Sequence, residues 1–279
     1  GVHQTIDVTS GNISWGASPV VTINPSGAFA SVTEYYVLID SGAFVDTLGN
    51  ANSGISGKTA WTFISEDVIE PIITARIPAD DSTGVAVDAV LVMEFNKQVD
   101  VETGNITIRH ASDSSVFDVI DVTSLQVEGA GTRVITITPN LTFASETEYY
   151  VQISADAFDD TAGNSFAGIP DDTTWSFTSE DVEAPIVSTL VPSDNSIAGN
   201  VNADLVMIFN EPVEAFSGNI TIRKSSDNSI FEIISATSTT KVTGKGTDTI
   251  TINPGGTFSS ETEYYVNIDA TCFDDLSGN

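Results

Sequence analysis

The sequence predicts an all-β protein built from tandem two-sheet sandwiches. Three observations carry that expectation. Short strings recur at one step: EYYV begins at Glu34, Glu148 and Glu263, IDVTS at Ile6 and Ile120, and SED at Ser65 and Ser179, always 114 or 115 residues apart. Self-similarity at a fixed period marks a repeat architecture. Within a copy, short runs of alternating apolar and polar residues are separated by Gly, Asn, Asp, Ser and Pro, the pattern of half-buried strands joined by turns. No amphipathic helical pattern of convincing length interrupts them.

The frame of the repeat sets the organisation. D-x-x-G-N strings begin at Asp46, Asp160 and Asp275, and GNIT begins at Gly104 and Gly218, with one residue inserted near Thr239 in the last copy. Gly11-Asn12-Ile13-Ser14 resembles GNIT but lies out of frame, 93 residues earlier. Residues 1–68 then form the C-terminal part of a first repeat, truncated at its N-terminus. Residues 69–182 form a complete second repeat, and 183–279 a third that lacks its last strand. The chain reads as a window cut from a longer array.

The second copy shows the elements in order. Ile72 to Pro78 is a short first strand whose entry is fixed by Pro71. The next run, Asp88 to Phe95, places Val90, Val92 and Glu94 on one face and Leu91, Met93 and Phe95 on the other. Asn105 to His110 alternates around Ile106 and Ile108, and the stretch from Ser115 is rich in β-branched residues. The run from Thr132 alternates Val134 or Ile135 against Thr136. The run from Glu148 places Tyr149, Val151 and Ile153 on one face, and the last, from Thr174, carries Trp175 and Phe177. Seven strands in about 110 residues is the count of an immunoglobulin-type sandwich.

One local motif sharpens the expectation. Immunoglobulin-type domains carry a corner tyrosine two residues before the second cysteine. Tyr149 stands two residues before Val151, as Tyr35 does before Val37 and Tyr264 before Val266. The tyrosine corner is kept and the disulfide is replaced by an apolar residue. Trp61 and Trp175 sit on the last strand rather than on strand C, which sets these domains apart from antibody-like ones. The predicted fold is all-β, tandem immunoglobulin-like β-sandwich domains of about seven strands each in an elongated array.

Composition narrows the function. An apolar fraction of 41% supports packed cores. Thirty-nine acids against 9 bases give a formal charge of −30, which disfavours nucleic acid and anionic lipid as partners. The acidity itself fits plain solubility, divalent-cation binding or a salty habitat. No apolar run approaches the ~18 residues of a membrane-spanning helix, so no membrane insertion is expected within this segment. Cys272 is the single cysteine and aligns with Ala43 and Ala157, so it reads as a small packed thiol. The two histidines, His3 and His110, offer no Ser-His-Asp or metal-His arrangement, and no phosphate loop or Cys-rich metal spacing is present. No enzyme activity is expected. Sequons at Asn12, Asn105, Asn140 and Asn219 read as turn or strand chemistry and matter only in a host that glycosylates them.

The motif series resembles the bacterial Ig-like domains of the S-layer type. The matching stretches are Pro185 to Val187, Pro192 to Asp194, Leu205 to Val213, Gly218 to Ile220, Glu263 to Val266 and Asp275 to Asn279. The resemblance implies spacer modules of S-layers, adhesins and secreted multidomain enzymes, and an extracellular or cell-surface location.

The repeat junctions are the candidate functional site. An Ig-type first strand starts at the end of the sandwich that carries the B–C and F–G loops. The junction residues Glu180, Asp181 and Glu183 are then brought towards Asp274 and Asp275 of the F–G loop and Asn210 and Glu211 of the B–C turn. At the earlier junction the counterparts are Glu66, Asp67 and Glu70 with Asn96, Asp159 and Asp160, while Lys97 takes the place of Glu211. Converging carboxylates suit Ca²⁺, which takes six to eight oxygen ligands, and a bound ion would stiffen the hinge. The leading function is a non-catalytic spacer of a bacterial surface protein, adhesin or S-layer type. The alternatives are a glycan- or protein-binding module, for which Trp15 is the candidate outside the repeat pattern, and accessory domains of a secreted enzyme. The partners expected are neighbouring repeats of the same chain and, through strand exchange, another copy.

Overall fold

The computed structural model describes residues 1–15, 19–197 and 199–279. Among them every regular element is a β-strand, and no helix is long and apolar enough to cross a membrane. The backbone gathers into two compact units: Gly1–Asp81 with Val90–Leu141 and Tyr150–Ser176, and Ser82–Ala89 with Thr142–Tyr149 and Phe177–Asn279. The division runs through two strands of the second repeat, Glu148–Ile153 and Ser176–Ser179.

In the first unit the spine is the Leu91–Val101 strand, eleven residues long. Thr132–Ile137 pairs along it antiparallel, with a register break between Thr132 and Val134, and Val127–Glu128 adds to the outer edge. On its other side the spine takes two partners in succession. Ile73–Ile77 pairs with it as far as Phe95, and Phe158–Asp160 pairs from Val99 to Val101. A separate sheet holds Asn105–His110 against Val116–Asp121. The expected alternation appears as burial: Leu91, Met93, Phe95 and Val99 are buried, as are Ile106, Ile108, Ile135 and Ile137. Phe95 meets Phe166 edge-on with ring centroids 5.3 Å apart. Trp175 is fully buried and donates its indole N–H to the Pro78 carbonyl at 2.9 Å, which satisfies the polar handle of an interior tryptophan.

The residues before the second repeat contribute two small ladders, Ile13–Trp15 with Val21–Ile23 and Glu34–Tyr36 with Thr62–Ile64. Trp15 is 60% exposed and meets the Phe44 ring edge-on.

The second unit repeats the plan. Leu205–Ala215 is its spine, paired with Thr247–Ile252 on one side. On the other side Val187–Val191 pairs up to Phe209 and Phe273–Asp275 pairs from Val213. Asn219–Lys224 is flanked by Ile230–Ser235 and Tyr264–Ile268. Its core collects Met207, Phe209, Val213, Ile220, Ile222 and Ile250. Cys272 is buried with them; burial pushes its thiol pKa up, so the packed, unreactive reading holds.

Two details differ from the sequence reading. The second repeat has three further short strands, Ser82–Val85, Val127–Glu128 and Phe158–Asp160. Asn96, Asn210 and Glu211 do not lie in a turn; they sit in mid-spine, where one edge partner ends and the next has not begun. The polar pair Asn-Lys or Asn-Glu reads as a break in the apolar alternation, and the ladder on the other edge also breaks register there, between Glu94 and Val99 and between Ile208 and Val213, before pairing resumes.

Candidate functional site

The repeated strings S-E-D and D-x-x-G-N form one device, built the same way in both units. Ser179 ends a strand, and its hydroxyl accepts the Thr147 N–H at 2.9 Å and donates to the Ala144 carbonyl at 2.5 Å. Ser65 does the same with Thr33 and Ala30. Two residues on, an aspartate folds the linker back on itself. Asp181 Oδ1 accepts the Ser145 hydroxyl at 2.9 Å and the Glu183 N–H at 3.0 Å, while Ser145 Oγ accepts the Val182 N–H at 2.9 Å. At the first junction Asp67, Ser31, Ile69 and Val68 repeat these contacts at 2.9, 3.0 and 3.1 Å.

The D-x-x-G-N loop supplies the other half. Asp160 Oδ1 accepts the N–H groups of Ala162 and Asn164, both at 2.9 Å, and Oδ2 accepts Asn164 Nδ2 at 2.9 Å. The same amide donates to the Asp67 carbonyl at 3.2 Å. In the second unit Asn279 Nδ2 donates to Asp275 at 3.1 Å and to the Asp181 carbonyl at 3.0 Å. Asp46 and Asn50 close the corresponding loop of the first repeat. Each junction linker is therefore held by an aspartate, a serine and an asparagine amide, all on strand ends or tight turns.

The tyrosine corner anchors the serine. Tyr149, Tyr35 and Tyr264 accept backbone N–H groups from Ala144, Ala30 and Ser259 at 2.9, 2.8 and 3.0 Å. Each tyrosine ring also packs on the phenylalanine six residues earlier, with centroids 4.7–4.9 Å apart (Phe29, Phe143 and Phe258). The Phe-x₅-Tyr spacing was present in the sequence, and it fixes the loop that presents Ser31 and Ser145.

The two junctions carry opposite charge at one mid-spine position, 97 in the second repeat and 211 in the third. At the first, Lys97 Nζ lies 2.9 Å from Asp67 Oδ2, 2.8 Å from Asp160 Oδ2 and 2.5 Å from the Ile69 carbonyl. Burial pushes the Asp160 carboxyl up, but hydrogen bonds from Lys97 and Asn164 outweigh it and hold the group well below the usual carboxylate range. The hydrogen bond from Lys97, followed by the Ile69 amide and Ser31, lowers Asp67 as well. At the second junction Glu211 replaces the lysine. Asp181, Glu211 and Asp275 bring carboxylate oxygens within 4.8 Å of one another. Burial raises the Glu211 pKa against the hydrogen bond from Asn210, and repulsion from Asp181, Asp275 and Glu146 adds to the rise. Burial also works against Asp275, but the amides of Asn279 and Ser277 more than offset it and lower its pKa.

The other residues expected to bind an ion take separate places. Asn96 and Asn210 accept the N–H groups of Ile72 and Ile186 at 3.0 and 2.6 Å and so anchor the first strand of their repeat. Glu180 Oε1 accepts the Val87 N–H at 3.1 Å. Glu66, Glu70 and Glu183 are exposed. Asp274 stands opposite Glu214 in the ladder. Asp159 pairs with Asp100 and keeps one buried carboxylate oxygen without a partner among the described residues. Sequence reasoning did not find the parts played by Ser31, Ser145, Asn164 and Asn279, although each recurs in frame within the F-x-S and D-x-x-G-N strings.

Comparison with known proteins follows the same repeats. A family model described as "Bacterial Ig-like domain" matches residues 67–179 and 181–279. No curated protein matches the sequence. Among solved structures, CopC from Methylosinus trichosporium OB3b is similar at 12% identity and a TM-score of 0.30, over 40% of this chain and 96% of that one. The N-terminal part of the bacterial S-layer protein SbsC is similar at 14% identity and a TM-score of 0.29, over 70% of this chain and 43% of that one. A structure of the S-layer protein rSbsC(31-844) gives 13% identity and a TM-score of 0.28, over 76% of this chain and 33% of that one.

Proposed function

The chain belongs to the bacterial Ig-like domain family, and on that premise we propose that it is a non-catalytic structural repeat region of a bacterial surface protein, with linkers built as fixed joints. The observation that carries this reading is the duplicated latch. The same aspartate, serine and asparagine hold the linker after the first repeat and the linker after the second. A linker whose role was only to connect would keep its backbone solvated and variable; here each spends side chains on holding it. Family membership supports a place outside the cell. The charge of −30 supports a solvated surface that repels its like. The placement of polar side chains supports a mechanical role. His3 packs against Phe29 and Tyr35, and Cys272 is sealed in the core.

Pulling the full chain from its ends tests the reading. The expected trace has discrete all-or-none ruptures, with a fully stretched repeat of 114 residues amounting to about 40 nm at ~3.5 Å per residue. Smooth extension without force peaks would contradict a mechanical role.

A further inference from the structure

We propose that the second repeat carries a shear clamp: residues 78–87 near its start and 175–180 at its end run side by side in parallel, so that tension along the chain strains their bonds together. The proposal rests on the reading of the repeats as mechanical parts.

The ladders along both spines are antiparallel. Ser82–Val85 against Ser176–Ser179 is parallel, with Phe177 opposite Ser82 and Ser179 opposite Val85. The contacts run on beyond the ladder in the same sense. Trp175 donates its indole N–H to the Pro78 carbonyl at 2.9 Å. The Asp81 N–H donates to the Ser176 carbonyl at 2.9 Å, while the carboxylates of Asp80 and Asp81 accept the Ser176 N–H and hydroxyl, both at 2.9 Å. The Glu180 N–H donates to the Val85 carbonyl at 2.7 Å, and Glu180 Oε1 accepts the Val87 N–H at 3.1 Å. Partners rise together, from 78 with 175 to 87 with 180.

Direction decides what this register does under load. The first linker enters before Ile73–Ile77 and the second leaves after Ser179. Once Ile73–Ile77 is drawn off the spine, tension pulls 78–87 back from its N-terminal end and 175–180 forward from its C-terminal end. In a parallel pair those two ends lie at opposite tips, so the segments must slide past one another and their bonds fail together. In an antiparallel pair the loaded ends would share a tip, and the bonds would open one at a time. Sliding is resisted only if the last strand is itself anchored. Trp175 and Phe177 are buried, and Phe177 meets the Phe143 ring edge-on with centroids 5.1 Å apart. The Ser179 hydroxyl is tied to Thr147 and Ala144. These anchors are the W-x-F-x-S-E string, which also begins at Trp61, so one string serves both the clamp and the linker latch.

The test is constant-force unfolding of the full chain held by its ends, for the wild type, Glu180→Ala, Glu180→Pro and Ile135→Ala, with equilibrium unfolding of each in denaturant. Glu180→Ala removes the bond to the Val87 N–H, and Glu180→Pro removes that bond and the one to the Val85 carbonyl. Ile135 is fully buried on the far ladder of the spine, outside the clamp, and its truncation costs more equilibrium stability than either. The unfolding step of the second repeat should be about fivefold faster in Glu180→Ala and about 30-fold faster in Glu180→Pro, at one net hydrogen bond per contact. Ile135→Ala should leave that step nearly unchanged, because its packing is still intact when the clamp breaks. If Glu180→Pro does not fold, Glu180→Ala against Ile135→Ala decides. Unchanged rates in the Glu180 variants, or a larger acceleration in Ile135→Ala, would overturn the clamp alone. A wild type that extends with no discrete step would overturn the mechanical reading beneath it.

Discussion

At the scale of single residues, position 97 in the second repeat and 211 in the third decide the electrostatics of a junction. The signs are opposite. Asp67 and Asp160 have pKa values lowered by Lys97, so their contribution is present above the ordinary carboxylate range and is lost as pH falls below that range through the depressed folded values. Glu211 has a raised pKa, so the folded state is penalised at neutral pH and relieved as the pH falls towards that value. Asp181, Asp275, Glu146 and Asn210 are the groups that face it. Glu211→Gln should therefore melt at a higher temperature than the wild type at pH 7 without calcium, and the two should converge below about pH 4, where carboxyls protonate. A constant difference across pH 3–7 would show that charge at this position is not the cause.

At the scale of the element, the spine strands and their edges explain where polar residues could enter a β-sheet. Leu91–Val101 and Leu205–Ala215 each change edge partner halfway, and the unpaired stretch between partners is where Lys97 and Glu211 emerge. The sequence showed the apolar alternation before this point but not the continuation, because the alternation stops where the edge is open. Glycines mark the other irregularity. Gly129 has φ +102°, and a Cβ there would lie 2.0 Å from the Val134 carbonyl oxygen; Gly244 repeats this against Thr249 at 1.9 Å. Both turn the chain out of a short strand. The first repeat has Trp15 at this position, at the end of the Ile13–Trp15 strand. Gly129→Ala should cost about 2–3 kcal/mol, combining a left-handed backbone with a direct clash, read as a lower denaturant midpoint. A change under ~0.5 kcal/mol would mean the turn is not needed.

At the scale of the whole molecule, the tandem repetition was legible, and so were the tyrosine corner and seven strands of the second repeat. They rest on local patterns repeated in one chain, and repetition supplied the comparison that a single copy lacks. The chemistry of the junction was only partly legible. Asp67, Asp160, Asp181 and Asp275 stood out as acids in shared strings. Which acids meet was not readable, because that depends on strand register and on the path of loops such as Phe143–Tyr149, which the tyrosine corner sets. The serine and asparagine latches were hidden for the same reason: Ser and Asn are ordinary turn residues until a backbone partner is placed beside them.

The central claim is that the linkers are parts of the fold, and hydrogen exchange of the full chain tests it most directly. The amides of Val68, Ile69, Val182 and Glu183 donate to Ser31, Asp67, Ser145 and Asp181. They should exchange many-fold more slowly than a free linker, approaching the strand amides that flank them. Exchange at the rate of an unstructured peptide at both linkers would contradict the claim and leave simple acidic tethers between sandwiches.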